Sequence, residues 1–266
     1  MVGRHRLRRG ALTLSRGATD LRIGRQRVAW GTGRFWSPLD LLNPVNPTSL
    51  EPGEREGVDA VVLEHKRSAT SRATIVHAPV HDGRDYLLGQ WHANARGVDY
   101  SLTAGRVREG TLAGLDLAGQ VGGAGVRAEW TVTRVSRGGH PQRVLLGWDY
   151  AFANTLTLTA ELFYDGSGAA DPAHYDLAGL LAGRRQTLGR RYGGLYARYE
   201  LTPLLKAEAW LARNLADHSW YLSPRLTWSV RENVDLAIGT QLFGGTASSE
   251  FGRSNTLWFA HAQWFF

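Results

Sequence analysis

Trp220-Tyr221-Leu222-Ser223-Pro224-Arg225-Leu226-Thr227-Trp228-Ser229-Val230-Arg231 decides the fold, because its polarity changes at every residue. Trp220, Leu222, Pro224, Leu226, Trp228 and Val230 form an apolar set, and Tyr221, Ser223, Arg225, Thr227, Ser229 and Arg231 a polar one. A β-strand sends successive side chains to opposite faces, so this stretch reads as a strand lying between an apolar and a polar environment. The pattern continues downstream, where Val234, Leu236, Ile238 and Leu242 alternate with Asn233, Asp235, Gly239 and Gln241. Upstream, Leu156, Leu158, Ala160, Leu162 and Tyr164 oppose Thr157, Thr159, Glu161 and Asp165. Val144, Leu146, Trp148, Tyr150 and Phe152 oppose Arg143, Gly147 and Asp149, and Val126, Ala128, Trp130 and Val132 oppose Arg127, Glu129, Thr131 and Thr133.

Alternation by itself also suits a soluble β-sandwich with one wet face per sheet. The connections separate the two architectures. Tight turns at Arg231-Glu232-Asn233, Leu201-Thr202-Pro203, Ala153-Asn154-Thr155 and Ala95-Arg96-Gly97 alternate with longer links at 244–253, 166–189 and 136–141. Leu215 to His218 and Arg108 to Gly110 are the shorter exceptions on the long side. Short turns at one end and longer loops at the other are the habit of outer-membrane barrels. Trp148, Phe152, Tyr164, Trp220, Trp228 and Trp264 all fall on the apolar face, several near strand ends, as interfacial girdles require.

The composition agrees. The chain has 266 residues with 32 Gly and 10 Trp, no Cys and a single Met, which favours many short strands and excludes disulfides, thiolate metal sites and Cys nucleophiles. No apolar run approaches the roughly 18 residues of a membrane helix. Only Lys66 and Lys206 are lysines among the 31 basic residues, and the arginines are scattered, which argues against a nucleic-acid groove at a net charge of +7. About fourteen strands are expected from Leu21 to Phe266, with a further partial one near Leu12 to Ser15. A closed barrel of even strand number then implies 14–16 strands with earlier ones missing. The basic start Arg4-His5-Arg6-Leu7-Arg8-Arg9 is not followed by an apolar signal segment, which is expected of a truncated N-terminus. The whole of 1–266 is expected to be one barrel domain.

Two segments carry resemblances. Trp258, Ala260, Ala262, Trp264 and the terminal Phe266 resemble the C-terminal signature of bacterial outer-membrane barrels. That resemblance implies that Trp264 and Phe266 are read by the barrel-assembly machinery. The stretch from Ile23 to Pro44 contains Gly24-Arg25-Gln26, Trp30-Gly31 and Asn43-Pro44. It resembles the pattern of several uncharacterised bacterial outer-membrane proteins grouped loosely with alginate-export and other porin-like barrels, over about forty residues including the C-terminal strand. Members of that group are longer, with a signal peptide and further N-terminal strands. The likeness implies architecture and an outer-membrane location in a Gram-negative bacterium.

Physically, the same stretch is a strand running into a long loop, 31–57, in which Pro38, Pro44, Pro47 and Pro52 block ladder pairing. Such a loop is long enough to fold inward, and its Glu51, Glu54, Arg55 and Glu56 are candidates for a constriction; a solvated surface loop is the alternative. Gly31-Thr32-Gly33 lacks the third glycine of a dinucleotide fingerprint, and Gly166-Ser167-Gly168 is no nucleophile elbow. His77, His81, Asp82 and Asp85 are the one cluster with metal-like spacing, but no metal and no cofactor are expected.

The polar sets contain Arg127, Glu129, Asp149, Glu161, Arg198, Glu200, Lys206, Glu208, Arg225 and Arg231. These are the pore-lining candidates, either rings that set ion preference or a lattice that stiffens the wall. A barrel of this width is not filled by its side chains, which implies a channel unless loops plug it. The expected function is passive diffusion of small polar solutes, anionic ones included, with no catalytic residues. Lipid and lipopolysaccharide are the expected surroundings, and the oligomeric state is not legible. An outer-membrane lipid hydrolase would instead show a Ser and a His together on the apolar wall, and a plugged structural or docking barrel would close on the 31–57 loop.

Overall fold

The computed structural model describes residues 8–44, 48, 57–80, 85–136 and 138–265. The regular secondary structure is almost wholly strand: β1 Gly10–Arg16, β2 Thr19–Gln26, β3 Val58–Ser68, β4 Ser71–Ala78, β5 Tyr86–Ala95, β6 Val98–Val107, β7 Gly110–Val121, β8 Ala124–Val135, β9 Gln142–Ala151, β10 Thr157–Asp165, β11 Arg191–Thr202, β12 Leu205–Asn214, β13 Trp220–Arg231, β14 Val234–Gly244 and β15 Leu257–Trp264. A 3-10 turn, Pro172–His174, and a short helix, α1 Leu177–Leu181, lie between β10 and β11, and no described helix is long and apolar enough to cross a membrane.

The chain divides into two units. The first comprises 1–45, 51–119 and 127–144, and in it β1 to β7 pair antiparallel in chain order. The second comprises 46–50, 120–126 and 145–266, with β10 to β15 paired in the same manner.

The turns explain how neighbours stay antiparallel. Every second link along the chain is short, seven in all, and six of them have two residues between the strands. Arg96-Gly97 and Gly122-Gly123 have positive φ at both positions, the geometry that matches strand twist in a two-residue hairpin. Bulges between Lys66 and Ser68, Glu200 and Thr202, and Ser229 and Arg231 each lie beside one of these short turns. The intervening links are longer, 27–57, 79–85, 136–141, 166–190, 215–219 and 245–256, with the two-residue link Arg108-Glu109 as an exception.

The two faces differ as the alternation requires. In the second unit Leu162, Leu195, Leu226, Trp228, Leu236 and Ile238 are exposed on one face, while Thr159, Glu161, Tyr192, Tyr221 and Gln241 are buried on the other. Trp220 begins β13 at the loop end, and Trp228 and Trp264 lie near the short-turn end, so aromatics mark both rims. Phe266 lies outside the described residues.

The first unit departs from simple alternation. Toward its loop end the face opposite the exposed leucines is itself apolar. Val62 and Val76 pack there with Val28, Ala60 and Ala78, and Leu88 and Leu112 pack with Leu39 and Val107. This second apolar surface is the floor on which the segment after β2 folds.

Candidate functional site

Glu129 organises the first unit. It sits in β8 on the face that alternation marks polar, and only 1% of its surface is exposed. Its Oε1 accepts the backbone N–H of Thr32 at 2.5 Å and of Gly33 at 2.7 Å, together with the Thr32 hydroxyl at 3.2 Å. Its Oε2 accepts the Ser37 hydroxyl at 2.8 Å and the Leu39 N–H at 3.2 Å. One carboxylate thus takes up donors that a loop without regular ladders leaves over.

The rest of the segment is stitched by its own side chains. Asn43 Oδ1 accepts from Val28 N, Asp40 Oδ1 from Asn43 N, and Ser37 Oγ from Asp40 N. Gly31 has a φ of +84°, and a Cβ there would lie 2.2 Å from Ser37 Oγ and 2.7 Å from Glu129 Oε2. The Trp-Gly and Asn-Pro motifs therefore have mechanical reasons, with Gly31 admitting the carboxylate and Asn43 closing the segment on Val28. Phe35, Trp36 and Leu39 are buried as a result. A Gly31→Ala variant is expected to break this approach, since both φ and space oppose it. Trypsin or hydrogen exchange should report residues 28–44 as newly accessible while the strands keep their protection.

At its short-turn end the same unit holds a polar cavity of about 780 Å³ lined by Asp20, Arg22, Glu64, Lys66, Arg72 and His92. Lys66 pairs with Asp20 at 2.8 Å, and Arg72 stands 4.0 Å from Glu64. His92 Nδ1 meets Ser101 Oγ at 3.2 Å, and that hydroxyl also donates to Asp116 at 3.1 Å.

In the second unit the register assembles a charged ladder. Arg198 stands opposite Glu208 and Glu208 opposite Arg225, while Glu200 stands opposite Lys206 in the adjoining row. Arg198 Nη2 lies 3.4 Å from Glu200 Oε1, Tyr196 donates its hydroxyl to Glu208, and Arg225 Nη2 donates to His261 Nε2 at 3.2 Å. Arg198 and Glu200 keep about two fifths of their side-chain surface exposed.

The remaining candidates are dispersed. Glu161 is buried, Asp149 lies over Gly125, and Arg127 shares a strand face with Glu129. The bulge after Ser229 sets Arg231 opposite Val234 and out of phase with the ladder. Glu51, Glu54, Arg55, Glu56, His81 and Asp82 lie outside the described residues. His77 and Asp85 meet at 3.2 Å, and among the described residues no group of three or more potential metal ligands occurs. Thr48, in the same long loop, accepts through its carbonyl from Gln241 Nε2 at 3.0 Å.

Aromatic pairs on the inner face were not among the candidates read from the sequence. The rings of Tyr196 and Trp210 pack at a tilt with centroids 4.5 Å apart, and Tyr221 packs on Phe243 at 5.2 Å, all at polar-phase positions of their strands. Their phase was the available signal: an aromatic out of step with the apolar set marks the inner face.

The long loops of the second unit are knitted together by two carboxylates. Glu250 accepts from Leu188 N at 3.1 Å, from Asn214 Nδ2 at 2.8 Å and from the Tyr192 hydroxyl. Asp217 accepts from the Tyr175 hydroxyl at 2.9 Å, Glu250 N at 2.8 Å and Ser219 N and Oγ. Burial outweighs the donors at Glu250 and raises its pKa. At Asp217 burial pushes upward too, but the hydrogen bonds from Ser219, Glu250 and Tyr175 prevail and the pKa is lowered. Asp217 therefore stabilises the loops above its ordinary pKa and loses that effect as pH falls through the lowered one. Glu250 stabilises them below its ordinary pKa and loses that effect as pH rises through the raised one. Glu250→Gln is expected to remove the part of the loops' pH dependence that lies above the ordinary carboxylate range, read as the ratio of variant to wild-type tryptic cleavage at Arg184-Arg185 at each pH, which cancels the protease's own pH profile.

The chain matches no family model and no curated protein sequence. Its structural likenesses are to outer-membrane porins of Pseudomonas aeruginosa. OccK10 (OpdN) superposes with a TM-score of 0.62 at 15% identity, covering 90% of this chain and 78% of that one. OccK11 (OpdR) gives 0.61 at 12% identity, covering 96% and 80%. OpdK, solved with vanillate, gives 0.61 at 12% identity, covering 88% and 73%. The fold is thus the antiparallel β-barrel type of those proteins, and the exposed leucines and tryptophans lie on its apolar face.

Proposed function

We propose that the chain forms an outer-membrane, porin-like channel for passive diffusion of small polar solutes, anions included, in a Gram-negative bacterium. The observation that carries this reading is the ladder Arg198–Glu208–Arg225 with Glu200–Lys206, charged side chains of both signs standing on the face away from the membrane. A wall that only had to be filled would place apolar groups there, whereas water and ions keep such groups solvated. Structural likeness to OccK porins, one of them bound to vanillate, is consistent with solute passage. The grouping with alginate-export barrels, the single barrel domain, the lipid and lipopolysaccharide surroundings, and assembly through Trp264 and Phe266 belong to the same proposal.

A plugged barrel is the second reading, favoured by the buried loop on Glu129 in the first unit. A hydrolase gains less support: His92 and Ser101 do meet, but on the polar face, with Ser101 buried and bonded to Asp116.

Single-channel recording in a planar bilayer with a salt gradient separates the two leading readings. Discrete steps with a non-zero reversal potential are expected, and Arg225→Glu should move that potential toward cation preference by reversing one charge of the ladder. Silent insertion would leave the plugged barrel as the reading.

A further inference from the structure

We infer that the loop-end rim of the second unit, on its membrane-facing side, binds the phosphates of a phosphorylated outer-leaflet glycolipid through Arg191 and Arg213. The inference rests on the outer-membrane reading, in which the end bearing the long loops faces outward.

Register fixes where these side chains stand. Tyr192 is buried on the inner face, so Arg191 before it belongs to the outer one, and Arg191 pairs directly with the exposed Tyr164. Arg213 lies in the row Leu162–Gly193–Arg213–Trp220, whose other side chains are exposed on the membrane-facing side. Gly193 leaves a gap in that row beside Arg213. Trp220 lies flat against Gly244, where a Cβ would meet its ring at 2.3 Å. The two arginines are diagonal neighbours on β11 and β12, at a backbone separation of roughly 7–8 Å. Both are exposed, and neither guanidinium has a hydrogen-bond or ion-pair partner among the described residues.

Two unpaired guanidiniums on a surface that otherwise meets hydrocarbon are costly unless the surroundings supply an anion. At this rim the surroundings are headgroups, at the level marked by Tyr164 and Trp220. A guanidinium fork matches phosphate geometry in two parallel hydrogen bonds, and diagonal spacing lets both forks reach one phosphate. The opposite rim of the same face carries the row Leu205–Trp228–Leu236–Ala262, apolar throughout. That contrast points to the leaflet whose lipids bear phosphate on sugar, and to a glycolipid as the occupant in preference to a phospholipid.

The test is native mass spectrometry of the detergent-solubilised protein titrated with bisphosphorylated lipid A, its monophosphorylated form and phosphatidylglycerol. Wild type should retain bisphosphorylated lipid A best, and the Arg191→Gln/Arg213→Gln variant should lose about tenfold in binding. The single Arg213→Gln variant and the phosphate-deficient lipid on wild type give the same comparison if the double variant folds poorly. Unchanged binding in a folded variant overturns the inference, as does equal retention of phosphatidylglycerol, which would make the rim a general phospholipid contact. Conductance recorded on the same samples keeps the two readings apart. These arginines face away from the ladder, so a conducting variant without lipid A binding supports this inference, and failure of wild type to conduct counts only against the channel.

Discussion

Glu129→Ala is expected to free the segment 28–44 and raise the unitary conductance, with added current noise as the released loop moves. The wild-type carboxylate takes hydrogen bonds from three backbone N–H groups and two hydroxyls of that segment. Removing it strands several buried donors at about 1–3 kcal/mol each, and they regain partners only by moving into water. The strands have their own ladders, so the loop should yield before the sheet does. Glu129→Gln should have an intermediate effect, because its amide nitrogen presents hydrogens to donors that the carboxylate accepted. Recordings of the two variants beside wild type give the answer. Unchanged conductance with unchanged protease resistance of 28–44 would mean that the aromatic packing of Phe35 and Trp36 holds the loop by itself.

The second large effect is expected on the apolar face, which the proposed function sets against lipid. Leu226→Arg puts a cation near the middle of β13, on the face that carries Trp220 and Trp228, at an expected cost of about 2–4 kcal/mol to the inserted state. Thr227→Arg, one residue on, places the same cation beside Lys206 and should be tolerated. Urea-induced unfolding from lipid vesicles measures both. Equal costs would contradict the assignment of faces, and with it the membrane reading of the alternation.

Much of this architecture was legible from side-chain period alone. The alternation at Trp220–Arg231 and its relatives, with short and long links in turn, predicts a barrel of 14–16 strands, and fifteen antiparallel strands are described with short and longer links alternating along the chain. The partial strand foreseen near Leu12 to Ser15 is β1. The site was less legible. Arg198, Glu208 and Arg225 were named from their phase, but which of them stand together depends on register across β11, β12 and β13. Glu129 was named for the same reason, yet its part as anchor of the loop could not be read, because its partners lie some ninety residues away in sequence.

The sequence by itself determined the faces, the turns and the class of fold, since each depends on neighbours within a few residues and on the solvent they meet. Only the tertiary structure decided that Val62, Val76, Leu88 and Leu112, although in the polar phase, form an apolar floor for a folded loop. It likewise decided that Asp217 and Glu250 tie three distant loops into one network. The physical reason is common to both: a buried carboxylate or an inward leucine is stable only with partners brought to it by other strands, and no local pattern records which partners those are.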